Sequence, residues 1–183
     1  GSRASTVPDL SLAGAAEEMV TEPGFATDSG DPDLRYHQQK LQELLRSKDP
    51  VESLNGMSRT QLAEMGLFGH QLLHAGRLDE ARVVFEGLVG LGVRDAFPHT
   101  MLGTVYFASG YLPRAEALFD AALALDAQDV AACVYRGEVR LLKGKPRLAM
   151  ADLTRALTLG PESDPFVHRA RKLIAKVGQA AKR

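Results

Sequence analysis

From residue 62 to residue 163, apolar and small residues return at an interval of 34. Phe85, Phe119 and Leu153 form one column, Leu88, Ala122 and Ala156 a second, and Ala81, Ala115 and Ala149 a third of small residues. Two glycine columns keep the same register, Gly69, Gly103, Gly137 and Gly76, Gly110, Gly144. Five columns with matching residue types at one spacing predict a repeated structural unit of paired helices.

The chemistry of each column assigns its place in that unit. A glycine inside a helix costs about 1 kcal/mol relative to alanine. Repeated at Gly69, Gly103 and Gly137, that cost predicts a close helix crossing with no room for a side chain. Gly76, Gly110 and Gly144 stand where a left-handed residue ends the first helix of each pair. The second helices are then predicted at Glu80–Gly90, Pro113–Leu125 and Pro146–Leu159, opened by Asp79-Glu80, by Arg114 with Glu116, and by Pro146. This period and layout are those of the tetratricopeptide repeat, so the predicted fold is an all-α solenoid of three such repeats, at 62–95, 96–129 and 130–163. Residues 34–61 read as a flanking helix, through Leu34–Arg46, and a connection. Residues 164–183 read as a basic capping helix started by Asp164-Pro165, with Phe166, Ala170, Leu173, Ile174 and Val177 on its apolar side.

Composition narrows the function. The 183 residues carry 22 Lys+Arg against 23 Asp+Glu, which argues against a chain built to grip nucleic acid. No apolar run approaches the length of a membrane span, and no secretory signal pattern stands at the N-terminus, so the expected location is the cytoplasm, without membrane insertion. The near-neutral total conceals two opposed ends. Residues 1–33 hold one base against Asp9, Glu17, Glu18, Glu22, Asp28, Asp31 and Asp33, and read as a mostly disordered acidic leader. Residues 164–183 hold Arg169, Arg171, Lys172, Lys176, Lys182 and Arg183 against Asp164 alone. Either these are a solvated leader and a solvated helix face, or the two meet, within one chain or across a dimer.

In a helical-repeat solenoid the first helix of each pair builds the concave wall. The wall residues expected to bind a peptide are Gly66, His70 and Leu73 in the first repeat, Phe97, Thr100, Thr104 and Phe107 in the second, and Val134, Glu138 and Leu141 in the third. Most are apolar, which predicts a groove filled by an extended or helical peptide with apolar anchors. The competing reading covers the groove with the chain's own termini or makes Phe97 and Phe107 ordinary core. Candidate chemistry is sparse, and no cofactor or metal is expected. His70 and His74 share a helix face, but a third ligand would have to come from His99 or Glu138 through the fold. The single cysteine, Cys133, falls at an apolar repeat position. Gly87-x-x-Gly90-x-Gly92 lacks the preceding strand of a dinucleotide site, and Lys143-Gly144-Lys145 lacks the partners of a phosphate loop. Catalysis is therefore not expected.

A helix, three consecutive repeats and a closing helix, together with the first repeat from Leu62 to Phe85, resemble the class II chaperones of type III secretion systems, which guard hydrophobic translocators. The resemblance covers about residues 50–177. It implies a small cytosolic, non-catalytic homodimer, paired through its N-terminal region, that holds an extended client segment in its groove. It also implies a first-repeat groove rich in aromatics, where this chain has Gly66, His70, Leu73 and Leu78. The Lys/Asn/Arg clamp by which other repeat proteins hold a partner's C-terminal carboxylate is not matched, because Ala63, Gly66, His70, Thr100 and Ala131 occupy its places. The alternative function is a scaffold subunit of a bacterial secretion, pilus or motility machine that binds a folded partner.

Overall fold

A computed structural model describes residues 57–181, which contain seven α-helices and no strand. They are α1 (Arg59–His74), α2 (Leu78–Gly90), α3 (Ala96–Ala108), α4 (Leu112–Leu125), α5 (Val130–Leu142), α6 (Pro146–Leu159) and α7 (Pro165–Ala180). The acidic leader and the flanking helix expected through Leu34–Arg46 lie outside the described residues. Helices pack in chain order, α1 on α2, α2 on α3 and so on to α7, with α1 also touching α3, α3 touching α5, and α5 touching α7. The first helices thus line one side of the row, as in stacked helical repeats.

Each helix pair turns by the same device. The N–H of Gly76 donates to Leu73 O and that of Arg77 to Leu72 O, and the same two bonds recur from Gly110 to Phe107, Tyr111 to Tyr106, Gly144 to Leu141 and Lys145 to Arg140. These are Schellman closures, with φ of 71°, 79° and 66° at the three glycines. The starts follow a rule too. Asp95, Asp129 and Asp164 accept backbone N–H groups at the openings of α3, α5 and α7. Ser58 and Gln61 form a reciprocal capping box on α1, which therefore begins one turn before Leu62. The second helices α2 and α4 start at Leu78 and Leu112, slightly earlier than the charged and proline signals indicate.

The mid-helix glycines sit at the crossings. A Cβ on Gly69 would lie 2.9 Å from Phe85 Cζ, one on Gly103 2.7 Å from Phe119 Cε1, and one on Gly137 3.0 Å from Leu153. The facing Phe85, Phe119 and Leu153 are fully buried. Glycine in one column and a large apolar residue in another are therefore two halves of one contact, made three times.

Candidate functional site

The expected wall residues fall on α1, α3 and α5, so the repeats do bring them to the first helices. An open apolar trough is not what they form. Gly66, His70, Phe97, Thr100, Thr104, Val134, Glu138 and Leu141 are buried, and Leu73 and Phe107 are half-buried. Contacts within the array account for part of this cover.

Polar wall residues are engaged with the protein itself. Thr100 Oγ1 donates to Asp129 Oδ2 at 2.7 Å, and the other oxygen of Asp129 caps α5, so the pair ties α3 to the start of the next repeat. Thr104 Oγ1 donates to Thr100 O at 2.8 Å. Glu138 accepts from Arg169 of α7 through both carboxylate oxygens, with Arg169 Nη2 at 2.8 Å from Oε2. Burial of Glu138 is possible because its charge is matched.

Aromatic wall residues join the packing. Phe97 meets Phe85 edge-on at 6.3 Å, which makes it inter-helix core. Phe107 meets Tyr135 at 6.4 Å. Tyr135 is the hub: it stacks on Phe119 at 5.6 Å, meets Phe166 at 5.3 Å, and carries the Arg169 guanidinium over its ring at 5.3 Å. Sequence reasoning missed Tyr135 as a member of the wall's support. An aromatic in the column of Leu67 and Met101 is the signal it left.

His70 and His74 lie with ring centroids 4.9 Å apart. Burial, and then the neighbouring His74, hold the His70 ring down to a pKa of about 4. His99 turns instead to its own helix start, Nδ1 lying 3.3 Å from Asp95 O. Among the described residues no three His, Cys, Asp or Glu side chains group as metal ligands. Burial raises the Cys133 thiol to about 11, so it stays protonated and unreactive at neutral pH.

Outside the wall, a charge network joins α5 to α4 and α6. Arg136 donates to Asp152 Oδ1 at 2.6 Å and to Asp120 at 2.6 Å; Arg140 donates to Asp152 Oδ2 at 2.7 Å and to Glu116 at 3.0 Å. Lys143 closes the set on Glu116. Its hydrogen bond, joined by that of Arg140, holds the Glu116 carboxyl below its ordinary value despite burial. Arg136 follows Phe68 and Leu102 at the repeat interval and Arg140 follows Leu72 and Tyr106, and acids of α4 and α6 account for the charge at these otherwise apolar positions.

No family model matches the sequence, and no curated protein matches it. Solved structures do. SycD, the type III secretion translocator chaperone of Yersinia enterocolitica, is 22% identical with a TM-score of 0.62, over 67% of this chain and 93% of that one. PcrH, in complex with the chaperone-binding region of PopB, is 22% identical with a TM-score of 0.60, over 64% of this chain and 97% of that one. The first TPR domain of Spaghetti (RPAP3), bound to the HSP90 peptide SRMEEVD, is 22% identical with a TM-score of 0.57, over 65% and 94%. With the recurring glycine crossings and turns, these matches show the fold: the described chain is an α-solenoid of tetratricopeptide repeats.

Proposed function

We propose that this chain is a non-catalytic protein-binding module, a cytoplasmic chaperone or adaptor that holds an extended client segment along the side lined by α1, α3 and α5. The observation that carries the reading is the extent of the match to SycD and PcrH. Nearly the whole length of those chains is covered, and both have been captured with client segments, SycD with a peptide of the translocator YopD and PcrH with the chaperone-binding region of PopB. A homodimer, paired through the N-terminal region, belongs to the same reading. A Lys/Asn/Arg clamp for a C-terminal carboxylate finds no match here, since Ala63, Gly66, His70, Thr100 and Ala131 stand in its places.

Burial of the wall shapes the mechanism. Leu73 and Phe107, being half-buried, offer a client its first contacts, whereas Leu141 is buried. Each anchor buried contributes about 1.5–3 kcal/mol before ordering costs are subtracted. The scaffold reading draws support from a different observation: Phe68, Val83, Tyr111, Leu125 and Leu148 are large apolar side chains that stay exposed.

Co-expression with an aggregation-prone candidate client distinguishes the two. The chaperone reading expects the client to become soluble with the native chain and to precipitate with Leu73→Asp or Phe107→Asp, while the circular dichroism of the variant stays helical. Solubilisation unaffected by both variants would move binding off the wall. Leu141 is unsuitable for this test, because a charge at a buried site reports on folding.

A further inference from the structure

We propose that the acidic leader of this chain, residues 1–33, docks on a basic stripe of its own α7 beside the wall. The stripe is set by helical spacing: Arg169, Lys172 and Lys176 stand at intervals of three and four on one side of α7. Its apolar side, with Phe166, Ala170 and Leu173, is buried against the array. Arg169 joins the stripe to the wall through its ion pair with Glu138. Arg171, on a different side, is held by Glu162. Lys172 and Lys176 are exposed, and among the described residues neither has an acid within ion-pair distance.

The complement is in the same polypeptide. Residues 1–33 carry seven acids against one base, whereas residues 164–183 carry six bases against one acid. The remaining residues balance, so the leader is the concentrated source of negative charge and the last helix the concentrated source of positive charge. Reach is not limiting. Helices pack about 8–10 Å apart, which puts α7 at most about 60 Å from α1 along the row. With Leu34–Arg46 helical, the 23 residues between Asp33 and Met57 span about 50 Å, and the 11 residues after Glu22, through Asp33, add about 35 Å when extended. Because tethering holds the leader near the stripe, weak exposed ion pairs suffice for occupancy.

Paramagnetic relaxation in the full chain tests this. A spin label is placed at Thr21→Cys in a Cys133→Ala background, and amide signals of residues 168–180 are followed. The expected result is broadening of those amides at low salt, loss of broadening at 0.5 M NaCl, as screening of exposed charge requires, and loss in Lys172→Glu/Lys176→Glu. Adding Glu17→Lys/Glu18→Lys to that variant is expected to restore it. A mixture of isotope-labelled chain without spin label and spin-labelled chain without isotope is expected to show no broadening. Absence of broadening in the native chain, persistence in the lysine double variant with the amide spectrum otherwise intact, or broadening in the mixed sample would each overturn the proposal, the last by placing the leader on a second copy.

Discussion

The first and third repeats share one backbone design and use charge in opposite ways. In the first, Arg77–Glu80 and Arg82–Glu86 lie on the surface of α2, within one helix turn of each other. In the third, Arg136 and Arg140 are mostly buried and reach acids on two other helices, Asp120 and Glu116 of α4 and Asp152 of α6. Exposed pairs of the first kind contribute about 0–1 kcal/mol. The second kind fixes how three helices sit, and removing one partner strands the others in a poorly solvated place. The third repeat is also gripped from its far side by α7, through Glu138–Arg169 and the Tyr135–Phe166 contact. Charge here is therefore surface decoration at one end of the array and part of its interior at the other.

Substitutions can break that contrast in descending order of effect. Asp152→Ala is expected to destabilise by about 3–5 kcal/mol, read from denaturant unfolding, because it leaves two guanidiniums short of a buried partner. Acid is expected to act next. His70 titrates at 6.5 in the unfolded chain but only at about 4 in the fold, so the unfolded state binds more protons between those values. Stability is complete above pH 6.5 and falls as pH drops toward 4, by about 3 kcal/mol in all. His70→Gln is expected to flatten that slope, measured as unfolding free energy against pH. Glu116, held low by Lys143 and Arg140, adds a loss of the same sign below pH 4.5.

Glycine substitutions come third. Gly103→Leu is expected to cost at least about 1–3 kcal/mol, since even a Cβ would stand 2.7 Å from the Phe119 ring. Gly137→Ala is expected to cost less, because the facing Leu153 side chain at 3.0 Å can shift. A thermal melt of both variants checks the order. Smallest of all, Glu80→Ala is expected to change stability by at most about 1 kcal/mol, with the effect vanishing in high salt. Equal losses from Glu80→Ala and Asp152→Ala would erase the distinction between the repeats.

The fold was legible because its signals are local and repeated. Gly76, Gly110 and Gly144 mark turns through their own backbone preference, and Gly69, Gly103 and Gly137 declare a crossing that column spacing pairs with Phe85, Phe119 and Leu153. The start of α1 was also written locally, as the Ser58-x-x-Gln61 capping box, but the first apolar repeat position at Leu62 drew the boundary past it. The state of the wall was not legible. Periodicity tells which helix face a residue is on, while exposure depends on what else lies against that face. Thr100 looked like a groove hydroxyl until Asp129, far along the chain, proved to be its partner. Arg169 and Glu138, and Tyr135 with its three rings, likewise meet only through the stacking of helices.

Site-specific photocrosslinking in cells producing the full chain tests the central claim most directly. With the crosslinker at Phe107, the account predicts a covalent adduct to an extended apolar segment of one client, mapped by mass spectrometry, and none with the crosslinker at the outward-facing Val83. A client adduct formed at Val83 and absent at Phe107 would contradict it.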